Sequence, residues 1–489
     1  MTFINVNATD KIYKADLLII GSGAGGATIA DIATQHGMDV LMVEEGEKYP
    51  IKQLKTPEEV FIKLWRNSGL TATLGKPNIA FAEGKTFGGS TEINSAIFQR
   101  PHEQVVKNWQ SAYQLDDSWS YKNLLRYWDK SFSQMHVSYH KKYYADSDVL
   151  IKGAAKLNYA AEYLSIAMKP DEKDDRIYGN PIKGKRSMSN SLLPLALKRG
   201  MRVILGCRVN RLSFKGKKAV RAYCDVKKNN TSKKLVIEFK YVFCCAGSIH
   251  TPMILKKSGV RSNLPFDNFQ LHPTLKMFGL FPKKIQTAAS MAPGAFVSEF
   301  MPDIRLGGSI FTRGFVGMAL ANNYDNASEF LQDMDYVGSY YVMIKPTAKG
   351  RFHFLPMLDS PLINYKLAMV DFANLKKGMG YLAEIMFAYG AKKVMPDIAG
   401  HRGWHNMADV KKDSSRTENY NLMSIHLMGS CPPSGNRQMG ITDQTGLVWG
   451  YDNFYIADGS QVPTAMGCNP QATIMAIAKK YGTEFIDKI

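Results

Sequence analysis

Ala15-Asp16-Leu17-Leu18-Ile19-Ile20-Gly21-Ser22-Gly23-Ala24-Gly25-Gly26 is the stretch on which the fold turns. Residues 15–20 form an apolar run of strand length that stops at a glycine. An Ala-rich segment follows with helical character and ends near His36-Gly37, and Asp39-Val40-Leu41-Met42-Val43 predicts a second strand that stops at Glu44. Strand, glycine-rich turn, helix, strand and acid together make a β-α-β unit of the size that a dinucleotide site requires. Gly21 permits the tight turn, Gly23 lets a pyrophosphate approach the backbone, and Gly26 allows close helix–strand packing. The helix would then present its free N–H groups and positive end to the phosphates. Glu44 stands where a carboxylate accepts bonds from ribose hydroxyls, which argues against a 2′-phosphate and so against NADP. These residues alone do not separate FAD from NAD.

The chain has 489 residues, 45% of them hydrophobic and 21% charged, so it has the length for two or three domains and a composition that argues against disorder. Its formal net charge is +19. The lysines are scattered in pairs such as Lys141-Lys142 and Lys392-Lys393, with no long basic block, so the charge reads as a solubility bias and nucleic acid is not expected as a partner. Peripheral contact with an acidic membrane stays open on charge alone. Six cysteines occur with no C-x-x-C pair, which weakens zinc and iron–sulfur readings and suggests free thiols. The N-terminal residues show no apolar signal core, and no stretch is long and apolar enough to span a bilayer, so a cytoplasmic location is expected.

Farther along, residues 50–185 read as mixed and mainly helical, with a glycine turn at Gly88-Gly89. Residues 201–246 read as strands, with a hairpin turn in Lys227-Lys228-Asn229-Asn230-Thr231-Ser232-Lys233-Lys234. The aromatic, locally alternating stretch 280–370 predicts a second, antiparallel sheet. Leu375, Met379, Leu382, Met386 and Tyr389 lie at helical spacing and Gly390 stands at the expected stop, so that stripe reads as core packing.

Three further segments carry a resemblance. Gly84-Lys85-Thr86-Phe87-Gly88-Gly89-Ser90-Thr91-Glu92-Ile93-Asn94 resembles the flavin segment of the glucose–methanol–choline oxidoreductase family. Gly247-Ser248-Ile249-His250-Thr251-Pro252 resembles its second signature, with Arg261 departing where a glycine is usual. His426-Leu427-Met428-Gly429-Ser430-Cys431, Ile456-Ala457-Asp458-Gly459-Ser460 and Gly467-Cys468-Asn469-Pro470 resemble its C-terminal motifs, in that order. Within the family the form is closest to the long-chain alcohol oxidases, with a cholesterol oxidase-like branch sharing some cues.

The resemblance implies FAD as cofactor. It also implies an α/β fold, with a Rossmann-like FAD-binding domain assembled from residues 1–110, 185–265 and 421–489. A mainly helical segment, 111–184, and a substrate-binding domain on an antiparallel sheet, 266–420, complete it. The cofactor positions it implies, with those read above, are Gly21, Gly23, Ala24, Gly26, Glu44, Gly88, Gly89, Ser90, Thr91, Asn94, Val209, Ala246, Gly247, Asp458, Gly459, Asn469, Pro470 and Gln471. His426 and Asn469 would be catalytic.

The implied reaction is hydride transfer from an alcohol carbon to flavin, giving an aldehyde or ketone. His426 is expected to act as general base, because an imidazole ordinarily titrates near neutrality. Asn469 has a competing reading, since Asn469-Pro470 is also a good helix start. Residues alone favour the cap; the resemblance favours catalysis. His250 and His272 read as structural, with His272 near the pocket as an alternative. Asp458, at a strand end, reads as a cofactor contact. The substrate pocket is expected from residues 280–350 and to suit an apolar or bulky alcohol. Oxygen, a quinone or a protein are open as electron acceptors. Less favoured readings are a lyase on the same fold and a basic surface-binding flavoprotein.

Overall fold

The computed structural model describes residues 2–6, 12–50, 54, 56–139, 145–168, 184–228, 231–261, 264, 266–285, 294–309 and 313–489. The hairpin-turn residues Asn229 and Asn230, and parts of the 50–185 and 280–370 expectations, lie outside that set.

The opening unit folds as the sequence predicts. Ile12–Ile20 and Val40–Val43 are parallel strands in register Leu17 to Val40, with the helix Ala24–Gln35 between them. The last four residues of the first strand and all of the second are buried, which is why both read as unbroken apolar runs. The parallel pairing continues through Arg202–Ile204 to Thr2–Phe3 at one edge. On the other side lies the long strand Thr231–Cys244. Its first part pairs antiparallel with Lys218–Lys228, which pairs in turn with Cys207–Lys215. Its last residues run parallel to Phe454–Ile456, which arrives from the C-terminal part of the chain. One sheet is thus built from three separated stretches of sequence.

A second sheet is mostly antiparallel, as expected for the 280–370 region, but it draws on more of the chain than that. Its order is Ile79–Phe81, Leu422–Ser424, Thr274–Leu280, Val337–Ile344, Ile304–Gly308, Ala295–Val297, Ala161–Tyr163, with Lys393–Pro396 also on Thr274–Leu280. The helix Met369–Tyr389 buries Leu375, Met379, Leu382 and Met386, and it ends where Gly390 takes φ 114° and donates to the Met386 and Phe387 carbonyls. Helices Glu103–Tyr113 and Tyr121–Gln134 bury Trp109 and Trp128 against the first sheet's side of the core. No described helix is long and apolar enough to cross a membrane. The six cysteines are free and buried.

Candidate active site

One cavity runs between the two sheets. Of the cofactor and catalytic positions expected from sequence, all but Gly26 and Gly88 line it; His272 does not. Gly26 and Gly88 act through the backbone around it. At Gly26 a Cβ would stand 2.0 Å from the Gly21 carbonyl oxygen, so the helix closes onto its own turn only with glycine there. Gly88 takes φ 104° and donates its N–H to Ser22 Oγ at 2.9 Å, tying the flavin-type segment to the N-terminal turn.

The cavity fits FAD on several independent features. At Gly23 nothing stands within 4 Å of where a Cβ would be, and the helix that begins there has no side-chain cap, so its N–H groups are left for a phosphate. Glu44 accepts from Ser22 N at 3.0 Å, Ser22 Oγ at 2.6 Å and Gly46 N at 2.8 Å, which holds its carboxylate at the cavity wall while burial pushes its pKa up. The helix Gln471–Lys488 also starts without a side-chain cap. Gln471 Oε1 accepts from Asn94 Nδ2 at 2.5 Å, whereas Gln471 Nε2 is buried with no partner and lines the cavity, the kind of orphan donor that a flavin edge satisfies.

Other expected contacts have work within the protein. Asp458 Oδ2 accepts from Gly247 N at 2.8 Å and Thr251 Oγ1 at 2.5 Å, and Oδ1 accepts from Ser460 N at 2.8 Å and Ser460 Oγ at 2.5 Å. Four donors fill the carboxylate, so it pins the start of helix Gly247–Lys257 to the Gly459 turn. Thr91 Oγ1 donates to Gly88 O at 2.7 Å and accepts from Met188 N at 3.0 Å. Ser90 Oγ accepts from Gly84 N at 3.0 Å. Val209 reaches the wall from the strand Cys207–Lys215, beside Asn210. His250 is buried with Nε2 3.4 Å from Glu83, in an ion-pair cluster that includes Arg66 and Glu45.

His426 and Asn469 meet: Asn469 Nδ2 lies 2.9 Å from His426 Nε2. Of the two readings open for Asn469, the structure does not place it at the cap. The cap position belongs to Pro470, and the Asn469 side chain turns toward His426 and Arg305 instead. His272 is fully buried, with both ring nitrogens in hydrogen-bond contact and one of them against His426. Gln270-Leu271 pairs antiparallel with Leu427-Met428, and Ser424 Oγ takes the backbone N–H of both His272 and His426 at 3.2 Å. This register brings His272 Nδ1 to 3.0 Å from His426 Nδ1. The backbone N–H groups of Met466 and Gly467 both point at His272 Nε2, each at 3.0 Å.

Arg305 is the residue that the sequence reading missed. It is fully buried and lies over the Phe296 ring. Its Nη1 donates to Gln99 Oε1 and, at 3.1 Å, to Asn469 Oδ1, while Nε and Nη2 have no partner. Its signal was present in Ile304-Arg305-Leu306-Gly307-Gly308, a cation in the middle of a strand that is otherwise apolar and buried. Burial and this guanidinium push His426 down to about 3 and hold His272 well below its ordinary value. Both rings are therefore neutral at ordinary pH, the form in which an imidazole can accept a proton.

The remaining wall draws on several parts of the chain. Among the described residues of 280–350, Gly308, Ser309, Tyr341 and Met343 reach it; Ile97, Thr274, Lys276, Met423, Ile425 and Ile474 supply much of the rest. Lys276 is buried beside Asp397, and burial lowers the amine to about 7 and raises the carboxyl to about 6.

The family models for the GMC oxidoreductase N- and C-terminal regions match residues 61–274 and 346–478. An uncharacterized GMC-type oxidoreductase of Sinorhizobium fredii is 37% identical over 95% of this chain and 93% of its own length. The chain belongs to the GMC oxidoreductase family. GMC oxidoreductases bind FAD, and the protein is an FAD-dependent oxidoreductase. More distant is a long-chain-alcohol oxidase of Arabidopsis thaliana, 24% identical over 95% of this chain and 67% of its own. The fold is shared with pyridoxine 4-oxidase from Mesorbium loti, with TM-score 0.73 and 15% identity over 97% of this chain and 99% of that one. It is also shared with a formate oxidase from Aspergillus oryzae, with TM-score 0.74 and 14% identity over 98% and 99%.

Proposed function

We propose that this GMC oxidoreductase oxidises the CH–OH group of a small alcohol with a largely apolar body to an aldehyde or ketone. The observation that carries this is the His426–Asn469 contact at 2.9 Å on the wall of the cavity that the cofactor-type residues also line. Bound FAD supplies the hydride acceptor. The chain's own part is to hold the alcohol oxygen against the two side chains, so that one C–H bond keeps a fixed direction, while neutral His426 takes the hydroxyl proton as general base. Ile97, Tyr341, Met343 and Met423 offer apolar surface for the body of the substrate and displace water from the reacting end. The similarity to a plant long-chain-alcohol oxidase supports an alcohol over other donors.

We assign Gly21, Gly23, Ala24, Glu44, Gly89, Asn94, Val209, Ala246, Gly247, Gly459, Pro470 and Gln471 to holding FAD. Gly26, Gly88, Ser90, Thr91 and Asp458 hold those residues in place. The test is anaerobic mixing of the purified flavoprotein with a panel of primary, secondary and sterol alcohols, followed by flavin absorbance. Bleaching by at least one alcohol is expected, and its absence across the panel defeats the reading. Hydrogen peroxide formation against reduction of an artificial quinone then assigns the electron acceptor.

A further inference from the structure

The register of the second sheet lays the cavity-facing residues out in two rows. In the first, Met343 pairs with Arg305 on one side and Thr274 on the other, and Thr274 pairs with Met423. Two residues along the same strands, Tyr341 pairs with Gly307 and Lys276. Side chains two apart share a face, so the second row stands about 7 Å from the first. Met343, Thr274, Met423, Tyr341 and Lys276 all line the cavity. Arg305 reaches Asn469 from the first row, so that row lies at the reacting end and the second row lies away from it.

Among the described residues of this sheet, Lys276 is the one charged side chain on the cavity wall. Its counter-charge stands behind it. Asp397 donates its N–H to the Lys276 carbonyl at 2.9 Å, its Oδ1 accepts from Asn421 Nδ2 at 2.8 Å, and it does not reach the wall. The cavity therefore meets the amine and not the carboxylate. Tyr341 leaves room in front of that amine. A Cβ on Gly307 would stand 2.5 Å from Tyr341 Oη, so the ring leans over the glycine on the strand opposite Lys276.

The amine donates in either protonation state, with three N–H bonds as an ammonium. Charge-separated, or with the proton passed to the carboxyl, the Lys276–Asp397 pair carries no net charge. A carboxylate on the ligand would add one unbalanced charge inside the cavity, whereas a neutral oxygen adds a hydrogen bond and no charge. A wholly apolar group would strip water from the amine and return nothing.

We propose, building on the alcohol oxidation above, that Lys276 is a specificity-determining residue whose amine holds a second, uncharged oxygen of the substrate. The substrate class is then an alcohol with an apolar middle and an ether, carbonyl or further hydroxyl oxygen on the order of 7–10 Å from the reacting hydroxyl, the spacing of the two rows plus the reach between them. Met343 and Met423 pack against the middle.

The test is calorimetric binding to the FAD-loaded protein after chemical reduction, a form that cannot turn an alcohol over. The probes are 6-methoxyhexanol and 1-octanol, which match in heavy atoms and differ in one oxygen, and 7-hydroxyheptanoate, which carries a charge at the far end. Lys276→Met should shift the affinity ratio of the ether alcohol to octanol by about 10-fold in favour of octanol. Lys276→Met combined with Asp397→Asn, which leaves no buried charge alone, should shift it equally, and it decides by itself should the single variant not fold. In the wild type the carboxylate probe should bind more weakly than the ether. An unmoved ratio, tighter binding of the carboxylate, or no measurable binding of the ether alcohol overturns the proposal. A shifted ratio in a protein whose oxidised flavin no alcohol bleaches defeats the functional reading and leaves the role of the amine standing; bleaching with an unmoved ratio does the reverse.

Discussion

Arg305 Nη1 donates to Asn469 Oδ1 at 3.1 Å, and this guanidinium is fully buried with no carboxylate partner among the described residues. A cation placed so is expensive unless negative charge arrives beside it.

Asn469→Asp should separate stability from activity. A carboxylate at this position pairs with Arg305 and should raise the unfolding free energy by about 1–3 kcal/mol. It also removes the N–H donor from the reacting oxygen and pushes away negative charge, so flavin reduction should fall by at least about 100-fold. Chemical denaturation and stopped-flow flavin bleaching on the same preparation read the two effects. Equal activity in both proteins would remove Asn469 from the site.

Two glycines of the N-terminal turn should fail differently. Gly26→Ala forces a Cβ to 2.0 Å from the Gly21 carbonyl oxygen, so it should lower stability by several kcal/mol, about the size of a severe core overpacking, and lose flavin as a result. Gly23→Ala meets no protein atom within 4 Å and has an ordinary φ of −67°, so the fold should tolerate it. Its methyl group faces the phosphate position, so FAD content should still drop. Melting temperature against flavin-to-protein ratio distinguishes the two behaviours.

Acid stability should report on His426. Its folded pKa is held near 3, below the ordinary 6.5, by burial and Arg305. Below about pH 6.5 the unfolded chain takes up this proton and the folded protein does not. The sign is therefore stability present above pH 6.5 and lost as pH falls toward 3, by up to ~1.4 kcal/mol per pH unit from this one group. His426→Asn should have a shallower loss across that window, measured by urea unfolding at several pH values. Parallel curves for the two proteins would contradict the depressed pKa.

Glu44→Ala should release the cofactor. It leaves the Ser22 N–H, the Ser22 hydroxyl and the Gly46 N–H without their acceptor, and it loosens the turn that also receives Gly88. Flavin should be well below one per chain after purification, with Glu44→Gln intermediate because its amide oxygen can still accept from one side.

The sequence disclosed local structure well wherever one segment decides it. Strand, glycine turn, helix and Glu44 needed only neighbours in the chain, and the stripe from Leu375 to Met386 needed only helical periodicity. The pairing of His426 with Asn469 came through motif resemblance, which carries distant geometry in compressed form. The hidden part depends on register between remote pieces. His272 meets His426 because two short strands align Leu271 with Leu427. Arg305 reaches Asn469 because Ile304–Gly308 lies in a second sheet assembled from much of the chain. The amide direction of Asn469 follows from what Arg305 can donate, which no local pattern encodes.

The strand Phe454–Ile456 completes the first sheet beside the last residues of Thr231–Cys244, and a Cβ on Gly25 would lie 1.8 Å from the Ala457 carbonyl oxygen. The nucleotide turn near the start of the chain is therefore braced by backbone that the ribosome makes almost last. During synthesis the β-α-β unit emerges early but lacks that brace, and Asn469 and Gln471 come later still. Cofactor loading is consequently a late event in the life of the polypeptide, after the backbone around Ala457 has been made.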